Sequence, residues 1–446
     1  MKHILKYFAS LKTDESWTYR DLTPKDTAYL THSYHRYPAK FIPQLVRRII
    51  KEYSNEEELI CDPFVGCGTT LLEALLIQRR ALGVDINPVA YLITKAKTTY
   101  IKPQLLEMHV SKLFAKLNPQ KNKTDNKVME RIRESPNYDR VRFWFGDDTI
   151  RNLSLILSLI EDMQEKAVQD FLKCGFSHIL KNCSCWNMDS IKPARDKDKN
   201  IPRAIPTFKR RIIHMTRKNK EYYEILPKKV KARLSDYLDV FCEDCRHIPC
   251  EDEYVSIIAT SPPYVTSYEY ADLHQLTLLW INPETDMTEN RKDHIGTTQP
   301  KDVSVKEIHS EIGNEIVRRL KNEGSKVNGN KNHYLNGCAD AVFTYFAEMQ
   351  QAFEQFTRVL KPGGIASIVI GNTTLGDVNI LNAEVLSEIS INVGFKLLKV
   401  IKRQIPSNKK WLPSIRNQET GQFASTNCAS NKLVYPHEYI IILEKP

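Results

Sequence analysis

The chain alternates short apolar runs with longer stretches whose apolar residues recur at helical spacing. Seven runs are short, β-branched and closed by turn residues, which is the pattern of strands buried on both faces of a parallel sheet. They are Glu58–Phe64 (ELICDPF), Arg80–Asn87 (RALGVDIN), Tyr237–Asp244 (YLDVFCED), Val255–Ser261 (VSIIATS), Gly364–Asn372 (GIASIVIGN), Phe395–Ile405 and His437–Lys445. Among the helical stretches, TTLLEALLIQR opens on threonines able to cap. FTYFAEMQQAFEQFTRVL is amphipathic and meets Pro362-Gly363-Gly364, a strong terminator. The alternation predicts an α/β fold: a seven-stranded, mostly parallel, doubly wound Rossmann-like sheet with helices on both faces and a final antiparallel strand.

The alternation breaks twice. From Tyr91 to Asp236 the chain is far longer than one crossover needs. Its first part is helical in pattern (QLLEMHVSKLFAKL, then IRNLSLILSLIEDMQEKAVQDFLKCGFSHIL) and its second is basic and studded with proline. A polar stretch at about 282–336 is the other break. The expected division is residues 1–100 as the first half of the core, 101–235 as a helical then basic insertion, and 236–446 as the second half.

Charge adds to this picture. The 446 residues carry a net +10, and Ile191–Arg233 alone holds fifteen Lys or Arg against four acids. The surplus therefore sits in one segment, a pattern that suits a polyanion, with nucleic acid first in line. Lys209, Arg210 and Arg211, with Phe208 and Trp186 near them, are the candidate DNA contacts. The polar stretch at about 282–336 and the loop Ser407–Gln418 are rival recognition elements. The ten cysteines read as free thiols rather than disulfides; the C-x-C spacing of Cys183/Cys185 is poor for zinc and Cys242/Cys245 falls in a predicted strand, so no metal is expected. No apolar run is long enough to span a bilayer, and the N-terminus shows no signal-peptide pattern, so a cytoplasmic location is expected.

Chemistry enters at the strand ends. CDPFVGCGTT (Cys61–Thr70) puts Gly66 and Gly68 in a strand-to-helix turn, where glycine permits positive φ and close approach of a ligand. The third glycine of a dinucleotide fingerprint and the lysine of a P-loop are both missing. Asp62 precedes the turn, Asp85 ends the second predicted strand and Asp244 the third. Asp62 is placed to accept from an ammonium or from the turn's own amides, Asp85 from ribose hydroxyls and Asp244 from an adenine amino group. Such a site suits a cationic nucleoside without phosphate, S-adenosyl-L-methionine. Asp62, Phe64, Gly66, Gly68, Thr69, Thr70, Asp85 and Asp244 are the candidate cofactor contacts.

Ser261-Pro262-Pro263-Tyr264 closes the fourth predicted strand, which would lie beside the first. Proline stiffens the corner and ends the ladder. A fixed carbonyl and the Ser261 hydroxyl can accept from an exocyclic amino group and favour a pyramidal nitrogen that attacks a methyl sulfonium in line. Tyr264 offers a face to a base extruded from a duplex.

Together, DPFVGCGTT and TSPPY resemble the motifs of the amino-methylating DNA methyltransferases, which act on cytosine-N4 or adenine-N6. The resemblance implies that the glycine turn binds S-adenosylmethionine and that the Ser-Pro-Pro-Tyr corner is the active site. Serine in first place resembles the cytosine-N4 enzymes. HSYHRYPAKFIPQLVRRII (His32–Ile50) resembles the family's helix near the methionine end of the cofactor, which implies cofactor-side roles for Lys40 and Phe41. YEYADLHQLTLLWI and RKDHIG also resemble the family's continuation. The likeness covers roughly residues 30–100 and 236–446. Cofactor motif precedes catalytic motif, whereas many cytosine-N4 enzymes have the reverse. It implies site-specific methylation of duplex DNA, in the setting of a partner restriction endonuclease. The alternatives are an adenine-N6 enzyme, an RNA base methyltransferase, or a degenerate fold that only binds DNA. His32, His35 and His274 read as structural, and Cys250 as a buried or loop thiol.

Overall fold

The computed structural model describes residues 1–38, 40–117, 126–265, 269–299, 307–325, 330–375, 378–405, 415–417, 431–433 and 437–446. Seven strands form one sheet: β1 (Leu59–Asp62), β2 (Arg80–Val84), β3 (Leu238–Phe241), β4 (Val255–Thr260), β5 (Leu360–Gly371), β6 (Lys396–Gln404) and β7 (His437–Glu444), in the order β3-β2-β1-β4-β5-β7-β6. The pairs β2–β3, β1–β2, β1–β4 and β4–β5 are parallel. Only β7 runs against its neighbours, β5 and β6. All seven predicted runs are strands, and β4 lies beside β1 as expected.

The ends differ from the sequence pattern for local reasons. β1 stops at Asp62 because Pro63 has no amide to give. β3 stops at Phe241, and Asp244 instead caps the short turn Cys245–His247. Pro362-Gly363-Gly364 does not separate helix from strand. It lies inside β5, where Gly363 takes φ +73° and the register against β4 shifts between Val255 and Ile257.

Helix α1 (Pro43–Tyr53) precedes β1, α2 (Thr69–Leu76) joins β1 to β2, and α3 (Pro88–Thr98) follows β2. The long segment before β3 contributes α4 (Pro103–Lys116), α5 (Asp147–Glu161), α6 (Lys166–Cys183) and α7 (Ala204–Ile225). These helices share a core of their own with α3, and Trp144 and Trp186 stack within it at 5.1 Å. Gly175 lets α6 and α7 close up, since a Cβ there would meet Ile212 at 2.5 Å. The basic segment is therefore largely a 22-residue helix, tied back to the end of α3 through Asn219 and Ile101 (2.6 and 2.9 Å).

Beyond β4 come α8 (Gln275–Ile281), α9 (Glu311–Ser325), α10 (Asn330–Val359) and α11 (Asn382–Asn392). The polar stretch read as a break in the alternation is in part α9, whose Ile312, Ile316 and Leu320 are buried in the same core as α10. Alternate residues of β7 face opposite layers: Ile440 and Ile442 pack with α1 and α2, Ile441 and Leu443 with α10 and α11. No helix among the described residues is long and apolar enough to cross a membrane.

Candidate active site

The glycine turn is laced to the end of β2. Val65 N–H donates to the Val84 carbonyl (2.9 Å) and Gly66 N–H to Asp85 Oδ2 (2.8 Å). Gly66 and Gly68 take φ +51° and +71°, the left-handed region that costs glycine least. A Cβ at Gly68 would lie 2.9 Å from Thr94, and one at Gly66 would lie 3.2 Å from the Tyr37 ring. The threonines do not cap α2. Gly68 occupies the cap position without a side-chain bond, and the Thr70 hydroxyl donates to Asp62 Oδ2 at 2.6 Å.

Asp62 also accepts from Thr260 on β4 (Oδ1, 2.6 Å) and from Phe64 N–H (3.2 Å). Burial raises its carboxyl to about 6 in spite of these three donors. Burial likewise lifts Asp85 to about 6, opposed by the amides of Asn87 and Gly66. Behind the turn, the buried ammonium of Lys97 donates to the Cys67 carbonyl (2.9 Å) and Thr69 Oγ1 (3.3 Å), and burial lowers its pKa.

At the other wall, Ser261 donates its proton to the Val369 carbonyl at 2.9 Å. What the hydroxyl can still offer is an oxygen lone pair. The Pro263 carbonyl accepts from Tyr345 Oη–H (2.9 Å), whereas among the described residues nothing donates to the Pro262 carbonyl. Tyr264 Oη–H donates to Glu438 (2.9 Å), which Arg403 holds at 2.5 Å. Its ring packs over Gly371, where a Cβ would come within 3.0 Å.

The two walls enclose one pocket of about 870 Å³, mouth included, at the carboxyl ends of β1, β2 and β4. Lys40, Phe41, Asp62, Phe64, Gly66, Thr69, Thr70, Asp85, Asp244, Ser261 and Pro263 all line it.

Comparison with known proteins agrees with this geometry. The family model described as DNA methylase matches residues 6–96, which include the glycine turn and stop short of the Ser-Pro-Pro-Tyr corner. The type II methyltransferase M.MvaI of Kocuria varians is 27% identical over 440 residues, covering 93% of this chain and 92% of its own. M.BsoBI of Geobacillus stearothermophilus is 22% identical (83% and 79% covered), and M.AvaI of Nostoc sp. 25% (83% and 80%). The chain belongs with the amino-methylating DNA methyltransferases. A solved DNA modification methylase from Thermus thermophilus matches only 25% of this methyltransferase and 39% of its own chain, at 20% identity and a TM-score of 0.17.

Three residues predicted for the site stand outside the pocket lining. Gly68 faces Thr94 beneath the turn, Pro262 is buried behind the corner, and Tyr264 is anchored on β5 and β7. Asp244 lines the pocket with both oxygens already accepting from Arg246 (2.5–3.0 Å), which also pairs with Glu348 at 2.9 Å. His32 is structural, buried at 2.7 Å from Glu73.

The basic triplet of the methyltransferase is divided. Arg210 is exposed, Lys209 donates to the Phe114 carbonyl (3.2 Å), and Arg211 is turned inward onto the Ser33 carbonyl, where burial lowers its pKa to about 10. Phe208 and Trp186 are core residues, 0% and 2% exposed, and present no face to DNA. The loop Ser407–Gln418 lies outside the described residues, apart from Ile415–Asn417. The sequence reading gave no individual role to Tyr37, Tyr270, Asp293 or His294, which also line the pocket. All four sit in the stretches quoted for family likeness.

Proposed function

We propose that this methyltransferase moves a methyl group from S-adenosylmethionine to the N4 amino group of cytosine in duplex DNA, at one short sequence. The observation that carries the reading is that Ser261 and Pro263 line the same pocket as Gly66, Asp62 and Asp85. The lining fits a cationic nucleoside: aromatic and aliphatic walls (Tyr37, Phe41, Phe64, Ile86), carboxylates at three strand ends, and no phosphate loop. When bound, the cofactor supplies an electrophilic methyl carbon on a sulfonium. The chain's own part is positioning. Ser261 Oγ and a fixed carbonyl of the corner accept the two amino hydrogens, drawing the nitrogen lone pair out of the ring for attack. Tyr264, fixed at its hydroxyl, offers an aromatic face for the extruded base, whose unstacking costs a few kcal/mol.

Residues 1–100 and 236–446 would form the transfer core and 101–235 the part that meets DNA. Arg203, Arg210, Arg217 and Lys220 are exposed along one side of α7, a row suited to phosphates. By its likeness to type II relatives the enzyme would work beside a restriction endonuclease, acting on the cell's own DNA in the cytoplasm. Sequencing that detects modified bases, applied to DNA and to transfer RNA from cells expressing the protein, tests base, motif and substrate together. N4-methylcytosine at one motif is expected. N6-methyladenine would overturn the choice of base, and modification confined to transfer RNA would overturn the choice of substrate.

A further inference from the structure

His294 is 8% exposed and lies on the pocket wall with Asp244 and Cys245. Its Nδ1 is 2.7 Å from the Asn290 carbonyl. A carbonyl only accepts, so Nδ1 carries the proton, and in the neutral ring Nε2 is a bare lone pair. Burial holds the ring neutral, against the Asn290 bond and the charges of Asp293, Glu269 and Asp244. Among the described residues Nε2 has no hydrogen-bond partner, and a buried acceptor left unmatched is rare enough to need a reason.

The neighbouring acceptor explains what would satisfy it. Asp244 is the acid at the β3 end, where an adenine amino group is expected, and its charge acts on the His294 ring. Both of its oxygens are held by Arg246, so this carboxylate is paired and fixed. An amino group on a purine has two hydrogens and needs two acceptors.

We propose that His294 Nε2 accepts one hydrogen of the cofactor's adenine amino group, beside Asp244. The inference rests on the pocket's being the S-adenosylmethionine site. It makes His294 a determinant of cofactor recognition on a segment that also touches the catalytic corner, since a Cβ at Gly296 would lie 3.4 Å from Pro263.

Calorimetric titration of the full chain with two ligands tests it: S-adenosylhomocysteine, and its analogue with hydrogen in place of the adenine amino group. His294→Ala should weaken S-adenosylhomocysteine roughly fivefold, the size of one neutral hydrogen bond, and leave the analogue unchanged. His294→Gln, with an amide oxygen as acceptor, should recover part of the difference. Equal loss for both ligands, or no loss for either, overturns the assignment. Should His294→Ala fail to fold, the native protein decides: equal affinity for the two ligands overturns the proposal. Failure of the native protein to bind either ligand overturns the cofactor reading of the pocket itself, a different result from a missing preference.

Discussion

Asp62 and Thr260 meet at 2.6 Å across the gap between two strand ends, and Asp62 holds Thr70 of α2 at the same distance. Thr260 is the residue before Ser261. The Ser-Pro-Pro-Tyr corner is thus pinned to the glycine turn by a side chain rather than left to the reach of a loop. Asp62→Ala would leave the Thr260 hydroxyl unmatched, at about 1–3 kcal/mol when buried, and leave Thr70 only the Ala259 carbonyl at 3.4 Å. A lower melting temperature and a turnover loss beyond the loss of cofactor affinity are expected. Unchanged melting would show that the clamp contributes nothing to the fold.

Asp62 and Asp85 predict a pH dependence. Burial lifts both carboxyls to about 6, against about 3.9 in an unfolded chain. The folded protein therefore binds more protons than the unfolded one in that window, and its stability without ligand falls as pH rises through it. Affinity for a cation runs the other way, because the ionised carboxylates attract it. Binding of S-adenosylmethionine should strengthen from about pH 5 to about pH 7.5, and more than that of the uncharged thioether S-adenosylhomocysteine. Parallel curves for the two ligands, which share the ammonium and differ in charge only at sulfur, would remove these acids from the recognition of the sulfonium.

Ser261→Ala removes a lone pair from the proposed amino site and leaves the cofactor wall alone. Turnover should fall about a hundredfold or more, with the dissociation constant of the cofactor within about twofold of its native value. Single-turnover kinetics with DNA in excess separates the two. An equal loss of binding and turnover would assign Ser261 to shaping the pocket.

Gly68→Ala confronts two obstacles, the φ of +71° and the side chain of Thr94 at 2.9 Å. Adding Thr94→Ala removes the second and not the first. The single variant should be destabilised by about 1–3 kcal/mol, and the double variant should recover only part. Full recovery would mean that the left-handed backbone is of no consequence there.

The two faces of α7 should respond differently. Arg210→Ala with Arg217→Ala should flatten the salt dependence of DNA binding by about one to two units of slope, without changing the melting temperature. Arg211→Ala should lower the melting temperature instead, because it strips a buried donor from the Ser33 carbonyl. If Arg211→Ala alters only the salt slope, the helix has been assigned the wrong outer face.

The sheet was legible because strands buried on both faces are uniform apolar runs, and β1, β2, β4 and β7 each show one. The site was legible where a turn demands particular residues, as at Gly66 and Pro263. It was not legible where a side chain answers one far along the chain: Asp62 and Thr260 are 198 positions apart. The threonines of α2 show the same limit, because a hydroxyl that could cap has a closer acceptor in Asp62. Arg211 could have been read correctly. Phe208, Ile212, Met215, Asn219 and Tyr222 recur at helical spacing and are all buried, and Arg211 lies beside that stripe. Counting charges along the segment, without folding them onto a helix, merged two faces into one.

The large segment between α3 and β3 returns to the outermost strand of the sheet. Nothing among the described residues pairs with β3 on its far side, so extra chain enters there without parting two strands of the sheet. Under the proposal that this segment meets DNA, the part that would choose a target joins the sheet at its edge, away from the strand ends that would carry the transfer. Grafting the equivalent segment of another type II enzyme between those two points should redirect where the mark is placed and leave the chemistry of marking unaltered.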